Sequence, residues 1–140
     1  VRKRYLCLMD GLLPEAVVDV DAPLARVAGE SRGPVEVQDA GKASLTRFRL
    51  LQPFSDCCYV EAELFTGRTH QIRAHARHIG LPLAGDRKYA DRAALKKWKA
   101  RGLGRVFLHA HRLGLAGPVG EELEFTAPLP DALREVLDRL

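Results

Sequence analysis

Apolar and polar positions change period several times along this chain, and each change marks an element. Behind three basic residues, Arg2-Lys3-Arg4, the run Tyr5-Leu6-Cys7-Leu8-Met9 is nearly all apolar and predicts a strand. Gly11-Leu12-Leu13-Pro14 then turns the chain, and residues 16–20 predict a second short strand. The turn formers of residues 29–34 predict an irregular excursion. Apolar and basic side chains alternate over residues 45–51, Pro53-Phe54-Ser55-Asp56 supplies a reversal, and residues 57–65 carry Glu61 and Glu63 at alternate places. This pattern predicts a hairpin.

Beyond Phe65 the period lengthens. Ile72, Ala76 and Ile79 recur at i, i+4 and i+7, Thr69 is the expected N-cap, and Gly80 with Pro82 gives a stop, so a helix is expected from His70. A loop to about Tyr89 and a short helix over 93–100 follow, with strands near 106–108 and 123–125. The last element is a helix from Asp131 whose Leu133, Val136, Leu137 and Leu140 form an apolar stripe. Hairpin strands with two or three separate helices predict an α+β fold: a mainly antiparallel or mixed sheet with a few peripheral helices.

At 140 residues and 46% hydrophobic composition the chain can bury a core of its own, and one domain over 1–140 is expected. It opens on Val1, with its basic triplet leading straight into a strand, which suggests a cut inside a larger protein. An apolar run of membrane-spanning length and a signal-peptide pattern are both missing, so a soluble, cytoplasmic protein without a membrane partner is expected. Cys7, Cys57 and Cys58 are odd in number and two are adjacent, which fits reduced core residues better than a disulfide framework.

Charge is unevenly spread. Residues 68–112 hold twelve of the 22 Lys and Arg but only Asp86 and Asp91 as acids, a local +10 that leaves −6 elsewhere. Such a segment suits an RNA or other anionic partner, while Lys96, Lys97, Lys99 and Arg101 around Trp98 can equally decorate a solvated helix.

The densest chemistry is Gly67-Arg68-Thr69-His70-Gln71-Ile72-Arg73, at the expected strand-to-helix corner. Arg68 precedes the helix start and Arg73 lies in its first turns, where free backbone N–H groups favour phosphate or carboxylate. Arginine's planar fork holds a pair of anionic oxygens in one orientation. A purely structural corner is the alternative. All five histidines fall between His70 and His111, and His75, His78, His109 and His111 have spacings that allow a metal site. No H-E-x-x-H run or paired-cysteine spacing supports one, so no metal is expected, and phosphate donation or capping serves these side chains as well. A G-x-S-x-G nucleophile elbow is also missing. Tyr5, behind the basic triplet, has the character of a residue that stacks on a splayed base, or of an ordinary strand tyrosine.

Several runs together resemble the C-terminal part of an RluA-type pseudouridine synthase catalytic domain, and within that family RluC-like enzymes of large-subunit ribosomal RNA. They are Lys3-Arg4-Tyr5-Leu6, Gly41-Lys42 with Thr46 and Phe48, and Thr66-Gly67-Arg68-Thr69-His70-Gln71-Ile72-Arg73. Gly80-Leu81-Pro82-Leu83-Ala84-Gly85-Asp86, Tyr89, Asp91-Arg92, Arg105-Val106-Phe107-Leu108-His109-Ala110 and Ala127-Pro128-Leu129-Pro130 continue the match over nearly the whole chain. The resemblance implies isomerisation of uridine in RNA, by breaking the glycosidic bond, turning the base and rejoining it through carbon, with no cofactor or metal. The RNA partner it implies is of the 23S ribosomal type, with transfer RNA as the other possibility. It assigns Tyr5 to stacking on the target base, Arg73 to an ion pair with the catalytic aspartate, and Leu108 to the apolar pocket wall. Arg68, Lys42, His70 and Arg105 then belong with RNA contacts or structure.

One departure matters. The family's aspartate lies in an H-R-L-D-x-x-T-S-G run, and none of Asp10, Asp19, Asp21, Asp39, Asp56, Asp86 or Asp91 has those neighbours. The expectation is therefore that the aspartate lies N-terminal to Val1 in a parent chain, and that these 140 residues are inactive alone. A non-catalytic RNA-binding module is the alternative function, and a histidine-metal hydrolase a further rival.

Overall fold

Eight strands and three helices are present among the described residues, 1–27 and 33–140, of the computed structural model. In chain order they are β1 (Arg2–Met9), β2 (Val17–Asp21), β3 (Leu24–Arg26), β4 (Val35–Val37), β5 (Leu45–Pro53) and β6 (Cys58–Leu64). Then come α1 (Gln71–His78), α2 (Arg92–Ala100), β7 (Leu108–Ala116), β8 (Glu122–Thr126) and α3 (Asp131–Asp138). Six strands form one sheet in the order β2-β5-β6-β1-β7-β8, each neighbouring pair antiparallel, while β3 and β4 pair separately. The expected α+β class holds, with every ladder antiparallel rather than mixed.

Alternation along the central strand decides which helix covers which face. Cys7 and Met9 of β1 join Phe48, Val60 and Ala62 beneath Ile72 and Ala76 of α1. Leu8, pointing the other way, joins Trp98 of α2, Phe107, and Leu133 and Val136 of α3. The sheet therefore lies between α1 on one side and α2 with α3 on the other. Large side chains buried as completely as Phe48, Trp98 and Phe107 each contribute roughly 1.5–3 kcal/mol by leaving water.

One strand boundary needs correction. The strand placed near 106–108 begins at Leu108 and runs to Ala116, because Phe107 is spent as a core side chain in an irregular crossing. Its N–H donates to Ala84 O, and its carbonyl accepts from Leu8 N. The β3–β4 hairpin was not foreseen, since three residues a side are too few to display a period. The excursion placed over 29–34 lies largely outside the described residues.

Residues 82–84 are fixed from both sides. Met9 bridges Leu83, Asp10 N donates to Pro82 O, Ala84 N donates to Leu8 O, and Ala84 O takes the Phe107 N–H. Gly85 and Asp86 leave from this pinned segment, so their place is set by the core.

Candidate functional site

The corner between β6 and α1 is built around one glutamine. Gln71 is 2% exposed, and its Oε1 accepts from Thr66 Oγ1 (2.6 Å) and from Arg68 N (3.1 Å). Its Nε2 donates to Leu45 O (2.9 Å) and to Thr46 Oγ1 (3.0 Å), while Leu45 N donates to Thr66 Oγ1 (3.2 Å). These bonds clamp the start of α1 onto the start of β5. The expected Thr69 cap is not formed; the N-cap residue is His70, in the left-handed region at φ 51° and without a side-chain cap. Gln71 instead takes the N–H of Arg68, ahead of the helix, and so fixes the turn that leads into α1 without capping its first N–H groups.

Thr46 carries the network onward to His75. The threonine oxygen already accepts from Gln71, so its own proton goes to His75 Nδ1 (2.8 Å). His75 Nε2–H then donates to Ala22 O (2.8 Å), and the imidazole is neutral with both nitrogens occupied. Burial pushes its pKa down, with the Ala22 bond opposing.

Two residues along the helix, Arg73 meets Asp86 side-on. Its Nε donates to Oδ2 at 2.9 Å and its Nη2 to Oδ1 at 2.6 Å. Asp86 is 0% exposed, and its Oδ1 also accepts from Lys88 N (3.0 Å) and Tyr89 N (3.3 Å). The Arg73 guanidinium lies 5.3 Å from the centroid of the Tyr89 ring, and the Asp86 hydrogen bond raises the arginine's pKa further. Tyr89 OH accepts from Val35 N (2.7 Å), so its proton is free for His70 Nδ1 (3.2 Å), whose ring stands perpendicular to it. Burial, then Arg73 and Lys88, lower the His70 pKa and favour the neutral ring.

The other sequence candidates fall around this centre. Lys42 and Arg68 line one cavity of about 470 Å³ together with Arg26, Gly41, Gly67 and Thr69. Both are exposed, although Arg68 also donates from Nε to Ala43 O (3.1 Å). Arg105 is exposed as well, with Nε and Nη2 engaged by Val106 O and Leu108 O at the root of β7. Tyr5 and Leu108 are half-buried and pack on the cluster beneath α1, so they lie on the sheet face that carries Arg73's helix. Tyr5 also lines an apolar depression with Leu113 and Phe125. The ring under Arg73 is that of Tyr89, not Tyr5.

Part of the local positive charge is spent internally. Lys97 pairs with Asp10 at 2.6 Å and lies 3.8 Å from Asp56, Arg101 pairs with Asp56 at 2.7 Å, and Arg112 pairs with Glu124 at 2.7 Å. All three acids lie outside residues 68–112, so this charge is neutralised by folding. Lys97 and Arg101 also flank the buried Trp98 ring at 5.3 and 4.7 Å; they are packing residues as much as surface cations. Arg77, Arg87, Lys88, Lys96 and Lys99 remain exposed.

Sequence reasoning gave Gln71, inside the Gly67–Arg73 run, no role of its own, and missed Asp86 and Tyr89 as members of the site. A signal existed for Asp86: it is one of two acids in a strongly basic segment.

The family profile described as RNA pseudouridylate synthase matches residues 1–78. An uncharacterized RNA pseudouridine synthase of Bacillus subtilis (strain 168) is 39% identical over 141 residues, covering all of this chain and 44% of its own length. A ribosomal large subunit pseudouridine synthase C of Haemophilus ducreyi is 38% identical over 142 residues, with the same coverage of 100% and 44%. The chain thus spans less than half the length of these curated relatives. Among solved structures, human RNA pseudouridylate synthase domain containing 1 matches with a TM-score of 0.78 and 27% identity, over 91% of this chain and 54% of that one. Human RNA pseudouridylate synthase domain containing 4 matches in fold with a TM-score of 0.77 at 24% identity, over 99% and 61%.

Proposed function

Because the chain belongs to the RNA pseudouridylate synthase family, we propose that it forms the arginine-bearing part of a catalytic domain that converts uridine to pseudouridine in RNA. Large-subunit ribosomal RNA is the substrate class, in keeping with the name of the Haemophilus ducreyi relative. The observation that carries the reading is Arg73. It is a permanently charged guanidinium, 17% exposed, held in one orientation at the end of a clamped strand-to-helix corner. Such a group can keep a carboxylate ionised and aimed beside a sugar.

In this reading an aspartate acts at the ribose, the N1–C1′ bond breaks, the base turns, and C5 bonds to C1′ with loss of the C5 hydrogen. Arg73 pairs with that aspartate. Tyr5 is the flat wall for the extruded base and Leu108 an apolar side of the same pocket. Lys42, Arg68 and Arg105 meet phosphates, and His70 serves as a neutral donor beside them. The aspartate comes from an H-R-L-D segment, which is absent from these 140 residues. The activity is therefore that of a longer chain which contains this sequence.

The test is release of tritium from RNA labelled at uridine C5. A chain that joins this sequence to the aspartate segment is expected to release it, and these 140 residues alone are not. No release by the longer chain on any ribosomal or transfer RNA would leave the non-catalytic RNA-binding module as the better reading.

A further inference from the structure

Arg73 is already paired with a carboxylate, and the way it is paired has a consequence for the site. Asp86 is fully buried, and a buried carboxylate is tolerated only where its charge and its lone pairs are met. Lys88 N and Tyr89 N bind Oδ1 from the chain that follows, while residues 82–84 are pinned to β1 and to Phe107. The carboxylate is thus oriented by backbone, and the arginine is the member that is held.

The grip is side-on. It consumes the Nε–H and one Nη2–H, while arginine has five N–H donors in a rigid plane. Among the described residues both donors on Nη1 and the second on Nη2 remain, and the Tyr89 ring lies 5.3 Å from the guanidinium carbon.

We propose that Asp86 is a positioning residue: it holds Arg73 by its Nε–Nη2 edge so that the Nη1–Nη2 edge is presented to a second carboxylate, that of the reacting aspartate. This rests on the reading of Arg73 as the aspartate's partner. Asp86 takes a share of the guanidinium's charge and supplies direction in return. In Asp86→Asn the one amide oxygen cannot serve both prongs, and the amide N–H groups face other donors, so the guanidinium loses its fixed edge.

The experiment is single-turnover kinetics of the complete enzyme on saturating RNA, over a range of pH. Asp86→Asn is expected to slow turnover on the order of 10²-fold, as small misplacements do, with RNA affinity changed only a few-fold. The acid limb of its pH–rate profile is expected to move, because the aspartate's ionisation answers both to the aim of the cation and to the lost neighbouring charge of Asp86. Asp86→Asn combined with Arg73→Lys is expected to be no slower than the slower single variant, as for two residues acting through one interaction. Slowed turnover with an unmoved acid limb overturns the proposal in favour of a merely structural ion pair; additive losses overturn it by showing that the two residues act separately. A slow Arg73→Lys beside a normal Asp86→Asn overturns only the positioning role; a normal Arg73→Lys overturns the reading of Arg73 itself. Should Asp86→Asn not fold, the unaltered enzyme decides: a resolved, slowly exchanging Arg73 Nε–H proton resonance supports the side-on grip, and a solvent-averaged one overturns it.

Discussion

Thr46 and His75, 29 positions apart, share a buried 2.8 Å hydrogen bond in which the threonine donates to a neutral imidazole. Protonation of His75 would replace that acceptor by a second donor facing the threonine. Its folded pKa lies below the ordinary value of 6.5, chiefly through burial. The unfolded chain therefore takes up the proton first as pH falls. The stability that this site contributes is complete above about pH 6.5 and declines as pH drops from there toward the lowered folded value. Urea denaturation between pH 7.5 and 5 is expected to show this loss, and His75→Gln to flatten it. An equally steep decline in that variant would assign the effect to other groups.

Removing the donor itself is a separate test. Thr46→Val keeps the shape but leaves His75 Nδ1 and one N–H of Gln71 without their buried partner. A loss of about 1–3 kcal/mol is expected from unsatisfied polar groups, measured by equilibrium unfolding. A neutral result would mean that the clamp at the start of α1 relaxes without cost.

Gly85 sits at φ +76° with its α-carbon against the Arg105 carbonyl, immediately before Asp86. A methyl group there meets both a strained backbone and a main-chain oxygen, so Gly85→Ala is expected to cost at least ~1–2 kcal/mol. In the complete enzyme it is also expected to lower turnover, because any shift of the loop carries Asp86 with it. Melting temperature and single-turnover rate measure the two effects independently.

Arg73→Lys keeps the charge and loses the two-pronged grip on Asp86. In the complete enzyme turnover is expected to fall on the order of 10²-fold or more, while RNA affinity changes only a few-fold because the phosphate contacts remain. Normal turnover with poor affinity would make Arg73 an RNA contact instead.

Affinity for RNA is expected to fall steeply with salt. Arg68→Ala, at an exposed cavity wall, is expected to weaken all RNAs alike and to reduce the log–log salt slope by about 1. Lys97→Ala is expected to leave the slope unchanged, since Lys97 is already paired with Asp10. Binding assays from low to moderate salt distinguish the two. A reduced slope in Lys97→Ala would show that the ion pair opens on binding.

Local pattern was enough for most of the elements. The alternation of residues 45–51 and 57–65, the i, i+4, i+7 stripe of Ile72, Ala76 and Ile79, and the Leu133–Val136 stripe each appear in the structure as strand or helix, because a period of two or near four is a property of neighbours in sequence. The run from Thr66 to Arg73 was legible as chemistry for a similar reason: glycine, arginines and polar side chains crowd one turn. Boundaries that depend on remote partners were not legible. Phe107 leaves the strand pattern because Ala84 and Leu8 claim its backbone, and Thr69 yields the helix start to His70 because Gln71 reaches β5.

By itself, then, the sequence determined the α+β class, the antiparallel hairpins, the position of the Arg68–Arg73 corner and its excess of positive charge. Only the tertiary structure decided which of those charges stay free. Lys97 and Arg101 find Asp10 and Asp56, and Arg73 finds Asp86, across separations that no local pattern encodes. The physical reason is range: periodicity and capping act within a few residues, whereas an ion pair is made by whatever the packed core brings within hydrogen-bonding distance.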